Sequence, residues 1–188
     1  ILQPSSSLQA DCYVDADFAG LWGVEHDQDP ICVKSRTGYL ITYKNCALLW
    51  ASKLQSLIAL STMEAEYIAL SQSMRDLIPL RETIKELQTY VFSSSSNLQT
   101  STLSTVFEPI PESTVFEDNE SCLRRASLGK ITPRTKHIAI PYHFFWSKIE
   151  ELEIKVVSID TEKQLADQFT KGLPEQKFIS LRNSLCGW

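Results

Sequence analysis

An α/β fold, a mixed sheet with helices on its faces, is what the order of elements in this chain predicts. Three observations carry it: "YVDADF" near one end and "EIKVVSI" near the other read as strands, and "TGYLITYK" and "CALLWAS", parted by Asn45, read as a hairpin. Between them lies one long stretch with helical apolar spacing. At 188 residues the chain is long enough for one compact domain with a core and too short for two full ones.

The first strand, within "CYVDADFAG", is unusual in holding two carboxylates. Asp is depleted from pleated, half-buried elements, yet Asp15 and Asp17 stand two residues apart and so on one face. The acidic, turn-rich "GVEHDQDP" separates this strand from the hairpin. In "STMEAEYIALSQSMRDLIPLRETIKELQTYV", Met63, Tyr67, Leu70, Met74, Leu77 and Ile78 follow a helical period. Ser61 and Glu64 form an S-x-x-E capping box at its start, and Pro79 is expected to kink or divide the helix.

A Ser/Thr-rich insertion at about 93–113 follows, including "SSSSNLQTSTLST". The pentapeptide "STVFE" occurs at 104–108 and again at 113–117, too little for a repeat architecture. Its second copy reads as a strand running into Asp118 and Asn119, with a helix from about Glu120 and another through "IPYHFFWSKIEEL". After "EIKVVSI", "TEKQLADQFTKGL" is expected to start a helix with a T-x-x-Q cap at Thr161 and Gln164. "EQKFISLRNSLCGW" reads as a final amphipathic helix.

Five widely spaced cysteines without a C-x-x-C pair argue for reduced thiols in an intracellular protein and against a zinc site. No apolar run approaches the roughly 18 residues of a membrane span, so no membrane partner is expected. The first residues carry neither a basic start nor an apolar signal segment. The absence of an initial Met fits a fragment of a longer polypeptide or a chosen boundary equally well.

The net charge of −5 argues against a nucleic-acid partner, but its distribution argues otherwise. Pro30 to Met63 has no acidic residue, and neither has Ser121 to Ile149, where Arg124, Arg125, Lys130, Arg134, Lys136 and Lys148 fall. A basic track beside an acidic centre suits a phosphate backbone held near cations; two solvated faces of like charge are the alternative.

Four carboxylates, Asp15, Glu64, Asp118 and Asp167, stand where strands end or helices begin. Singly, each has an ordinary explanation: a turn, a capping box, a helix cap, a solvated position. Together with their surroundings they match a family. "YVDADFAG", "STMEAEYIAL", "FEDNESC", "RTKHIAIPYHFF" and "QLADQFTKGLP" occur in the order found in the ribonuclease H domain of copia-type retrotransposon Gag-Pol polyproteins, and "KFISLRNSLCGW" is similar to the end of those polyproteins. The resemblance runs from about Asp11 to Trp188, with 1–10 as a tail from the preceding region and the Ser/Thr-rich insertion left out.

This resemblance implies a ribonuclease H-like fold: a five-stranded mixed sheet, three antiparallel strands first and then two parallel to the first. It implies a D-E-D-D site at Asp15, Glu64, Asp118 and Asp167, with Asp17, Glu66 and His137 as accessory candidates. Asp17 and Glu66 are near-duplicates of Asp15 and Glu64 in the motifs. Four such carboxylates repel one another unless cations sit among them, and oxygen-only ligands suit two Mg²⁺ or Mn²⁺ ions. The implied reaction is two-metal hydrolysis of the RNA strand of an RNA–DNA hybrid, leaving 5′-phosphate and 3′-hydroxyl ends. Arg124, Arg125, Lys130, Arg134 and Lys136 are the nucleic-acid-binding candidates, and the reverse transcriptase domain of the same polyprotein is the expected partner. The family places the reaction in cytoplasmic particles, with the nucleus as the alternative; nothing in the chain sets an oligomeric state.

Cellular ribonucleases of this fold carry a His on a loop before the last catalytic helix, and "SIDTEKQLAD" has none. That leaves His137 as the candidate proton shuttle, with phosphate contact as its other reading. Two alternatives to the nuclease remain. One is an inactive, connection-type domain that binds nucleic acid or the polymerase; the other is an integrase-like core, against which the early "STMEAEYIAL" argues.

Overall fold

The computed structural model describes residues 4–5, 7–24, 29–95, 110–128, 146–149, 151 and 153–187, the side chains of 91–95 and 128 excepted. Strands β1 (Ala10–Asp17), β2 (Arg36–Tyr43) and β3 (Cys46–Leu54) precede the long helix α1 (Thr62–Ser95). Strand β4 (Ser113–Glu117), helix α2 (Glu120–Leu128) and strand β5 (Ile154–Ser158) follow. Two short 3-10 turns, Thr161–Lys163 and Leu165–Phe169, lead to helix α3 (Glu175–Cys186). No helix among the described residues is long and apolar enough to cross a membrane.

The five strands lie in the order β3-β2-β1-β4-β5. β1, β2 and β3 pair antiparallel, and β4 and β5 extend the sheet in parallel. The mixed sheet expected from the sequence is therefore present, with the first and fourth strands side by side. Lys44 and Asn45 join β2 to β3 with φ of 54° and 63°. Positive φ at both central residues is the tight hairpin geometry that matches strand twist.

Alternation divides the sheet into two faces. Cys12, Val14, Tyr39, Ile41, Val115 and Ile154 pack with Leu70, Met74 and Leu77 of α1 in one buried cluster. Each large apolar side chain buried there contributes about 1.5–3 kcal/mol. The buried Arg81 reaches from α1 to Pro111 O at 2.9 Å and Ser113 Oγ at 2.6 Å, which ties the helix to the first residue of β4. Asp11 Oδ1 accepts from Thr114 N at 2.8 Å and from Gln9 Nε2 at 2.9 Å, fastening β1 to β4 beside it.

Two local expectations are corrected. Helix α1 continues through Pro79 as one element, so Pro79 does not divide it. Pro79 and Arg75 lie on its exposed side, where a carbonyl deprived of its helical donor is cheapest to leave. The segment around Asp167 is not an α-helix capped by Thr161. Asp160 caps the first turn instead, accepting from Glu162 N at 3.0 Å. Gln164 then leaves the helical region (φ −69°, ψ 101°) because its amide is drawn to the strands. Its Nε2 donates to Val14 O at 2.9 Å and Phe116 O at 3.3 Å, and its Oε1 accepts from Ala166 N at 3.3 Å.

Candidate active site

Parallel pairing of β1 with β4 brings Asp15, one residue beyond Val14, near Asp118, which follows the last residue of β4. Asp167 arrives on the second 3-10 turn, which lies over the middle of the sheet at Gly38. Gly38 pairs with Asp15, and a Cβ there would stand 2.5 Å from Thr170 Cγ2 and 2.9 Å from Phe169 Cβ. Only a residue without a side chain lets that turn approach so closely.

One carboxylate oxygen from each of Asp15, Asp118 and Asp167 lies within 4.8 Å of the other two. Asp15 and Asp167 are 2% and 0% exposed. Burial is the main force raising Asp15, to about 6 from 3.8. The Thr170 hydroxyl, hydrogen-bonded to Asp15 Oδ2, and the Lys171 ammonium oppose that rise, while the charges of Asp167 and Asp118 add to it. Lys171 Nζ lies 2.8 Å from Asp167 Oδ1 and 3.6 Å from Asp15 Oδ2, and Lys177 Nζ of α3 lies 2.9 Å from Asp167 Oδ2. Burial works against both ammonium groups, but the neighbouring carboxylates outweigh it and raise both pKa values.

The predicted glutamate is placed elsewhere. Glu64 N donates to Ser61 Oγ at 3.2 Å, and Leu60 N donates to Glu64 Oε2 at 2.6 Å. Glu64 is thus engaged in the helix cap, and no oxygen of it joins the cluster. Glu66 lies two residues on, roughly 200° around the helix axis, so the two cannot face the same way. It is Glu66 that meets Glu117 and Asp118, with one oxygen of each within 4.8 Å of the others. Burial raises the Glu66 pKa, and the charges of Glu117, Asp15 and Asp118 raise it further. Glu117 is raised as well, by burial and then by Asp118 and Asp15, against the hydrogen bond from Asn119 N.

Asp17 is half-buried and belongs to neither carboxylate group; its side chain fills the space beside Gly20, and burial raises its pKa. Of the basic candidates, Arg124 is exposed on α2, paired with Glu120 at 3.1 Å, and Arg125 is half-buried. Lys130, Arg134, Lys136 and His137 lie outside the described residues, as do the first "STVFE" copy and most of the "IPYHFFW" stretch.

Glu117, Lys171, Lys177, Gln164 and Gly38 were not among the sequence-derived candidates. Two carried a signal. Glu117 shares strand parity with Val115, which marks a carboxylate on the core face, and Lys171 stands four residues beyond Asp167.

No family model matches the chain. It is 34% identical over 166 residues, 88% of its length, to the retrovirus-related Pol polyprotein from transposon TNT 1-94 of Nicotiana tabacum. It is 27% identical over 184 residues (98% of its length) to that from transposon RE1, and 28% identical over 177 residues (94%) to that from transposon RE2, both of Arabidopsis thaliana. The chain spans about a tenth of the length of these relatives. Among solved structures it superposes on LC11-RNase H1, isolated from compost by a metagenomic approach, with a TM-score of 0.51 and 18% sequence identity, over 87% of this chain and 93% of that one. The fold is ribonuclease H-like.

Proposed function

We propose that this chain, whose homologues are retrovirus-related Pol polyproteins of plant copia-type transposons, is a metal-dependent endonuclease hydrolysing the RNA strand of RNA–DNA hybrids. The observation that carries the reading is the convergence of buried Asp15 and Asp167 with Asp118 at one end of a ribonuclease H-like sheet. Glu66, rather than Glu64, completes the D-E-D-D set from α1.

The residues present fit a divalent ion. The set offers carboxylate oxygens without imidazole or thiolate, which suits hard Mg²⁺ or Mn²⁺ rather than zinc. Asp15, pushed up to about 6 by burial and by its acidic neighbours, sits where a cation relieves repulsion. Asp15, Glu66, Asp118 and Asp167 would hold two such ions. Ions bound there would supply an activated water and charge stabilisation for the leaving 3′ oxygen. The chain's own residues do the rest. Thr170 and Lys171 hold Asp15, Lys171 and Lys177 hold Asp167, and the N-terminus of α2 beside Asp118 adds a positive backbone end that favours phosphate. Arg124, exposed on α2, would meet the duplex backbone, and choice of the RNA strand would rest on 2′-hydroxyl contacts. The partner supplying the hybrid would be the reverse transcriptase domain of the same polyprotein.

A second reading draws on the lysines. Lys171 and Lys177 already balance the charge of Asp167, as they would in a domain that binds hybrid without cutting it. Purified protein, 5′-labelled RNA annealed to DNA, and Mg²⁺ or Mn²⁺ decide between them, with Asp118→Asn in parallel. Metal-dependent cleavage of the RNA strand alone, lost in Asp118→Asn, is the expected result. Hybrid binding without cleavage by the folded protein overturns the nuclease reading and leaves the second.

A further inference from the structure

The carboxylates at the ends of β1 and β4 form two groups that share Asp118: Asp15 with Asp167, and Glu66 with Glu117. The D-E-D-D set accounts for Glu66 but has no place for Glu117. From the second group we infer that Glu117 is a fifth carboxylate of the cation site, holding a divalent ion together with Glu66 and Asp118. The inference rests on the metal-dependent reading above.

Glu117 is 0% exposed and Glu66 4% exposed, and the Oε2 atom of each has no hydrogen-bond partner. The other Glu117 oxygen, Oε1, accepts from Asn119 N at 3.0 Å, which turns the carboxylate toward the cluster and leaves Oε2 for another partner. The Cys122 thiol lies beside it and is at most a weak donor. Among the described residues no Lys or Arg forms an ion pair with Glu66 or Glu117. A buried carboxylate oxygen without a donor is costly unless it is neutralised. One carboxylate oxygen of each of these glutamates lies with one of Asp118 inside 4.8 Å, a separation that ligands of a single ion can have.

Strand geometry explains why the position is available. Ser113, Val115 and Glu117 point to the α1 face, where Ser113 meets Arg81 and Val115 meets the core. The strand ends as it reaches Glu66, so the third position of that face lies at the mouth of the site rather than in apolar packing. A carboxylate there reaches the same ion as Asp118 from the other side of the strand.

The competing explanation is a pair of carboxyl groups sharing one proton, which needs no cation. Glu117→Gln separates the two, because the amide keeps the size of the side chain and its acceptor for Asn119 N but loses the charge. Mn²⁺ alone is titrated into the purified chain, and free Mn²⁺ is followed by electron paramagnetic resonance. The expected result is binding weakened at least about tenfold in Glu117→Gln. Glu117→Asp, which keeps the charge and draws it back by one methylene, binds with intermediate affinity. It also decides the matter if Glu117→Gln does not fold. Asp15→Asn, which lies outside the Glu66 group, is the control for the shared site. Affinity equal to wild type in both Glu117 variants, while Asp15→Asn binds poorly, overturns the role of Glu117 and leaves the nuclease reading standing. Absence of saturable Mn²⁺ binding by the wild-type chain overturns both.

Discussion

Asp15 and Asp167, on the side of the sheet covered by the 3-10 turn, face the ammonium groups of Lys171 and Lys177. Glu66 and Glu117, on the α1 side, face each other and Asp118. The first group is balanced by cations that the chain itself provides. The second is buried as deeply and has backbone hydrogen bonds but no ammonium or guanidinium partner among the described residues, and both its glutamates are raised in pKa by burial and by neighbouring carboxylates. The cluster therefore has two electrostatic halves, and a divalent ion would act on them differently. On one half it would compete with lysine; on the other it would displace protons.

The sharpest test of the α1 half compares two glutamates of one helix. Glu66→Gln lowers hybrid cleavage by about 10²- to 10³-fold, whereas Glu64→Gln leaves it within about twofold and mainly loosens the helix cap. Equal losses in the two variants would show that the assignment to Glu66 is mistaken. For the lysine half, replacing both Lys171 and Lys177 by Met leaves Asp167 buried beside Asp15 without a cation. The metal-free protein then loses about 2–4 kcal/mol, given that Lys171 is partly exposed. Saturating Mg²⁺ recovers most of it. Urea midpoints with and without the ion measure both effects, and a loss untouched by Mg²⁺ breaks the comparison.

Acidity addresses both halves together. With Asp15 raised from 3.8 to about 6, the folded protein binds a proton that the unfolded chain has released between those values. Metal-free stability therefore falls as pH rises from about 4 through 6, by at most about 3 kcal/mol for this residue. Glu66 and Glu117 shift in the same direction and extend the fall upward. Mg²⁺ flattens the profile above pH 6, and melting curves across pH 4–8 read it directly. Gly38→Ala is expected to cost about 1–3 kcal/mol by crowding Thr170 and Phe169, with cleavage falling further than stability because the turn carrying Asp167 is displaced. The smallest effect belongs to Ser61→Ala, about 1 kcal/mol from loss of the cap on Glu64 N.

The sheet was legible because its signals are local. Strand-favouring residues mark β1, two β-branched and aromatic runs parted by Asn45 mark the hairpin, and the Ser61 box marks the start of α1. Asp15, Asp118 and Asp167 were legible as members of motifs; the strand order brings the first two together and the second 3-10 turn adds Asp167. The choice between Glu64 and Glu66 was not, because both fit the motif and only the rotation of α1 against the sheet separates them. The helix expected around Asp167 failed for a similar reason. Gln164 has good helix-forming character, but two strand carbonyls, 150 and 48 residues away in sequence, compete for its amide and win. Lys177 was invisible because its role depends on where α3 docks.

The contact between Thr170 and Asp15 joins residues 155 apart in the chain. Strands β1 to β3 pair through short connections and can form early, whereas a closure of that length is among the last steps in folding. The repulsion between Asp167 and the carboxylates of the sheet is met only then, after the sheet that must withstand it has been built. Divalent-ion uptake should accordingly report completion of the fold rather than its nucleation, and a partly folded chain would carry all the ligands without possessing a site.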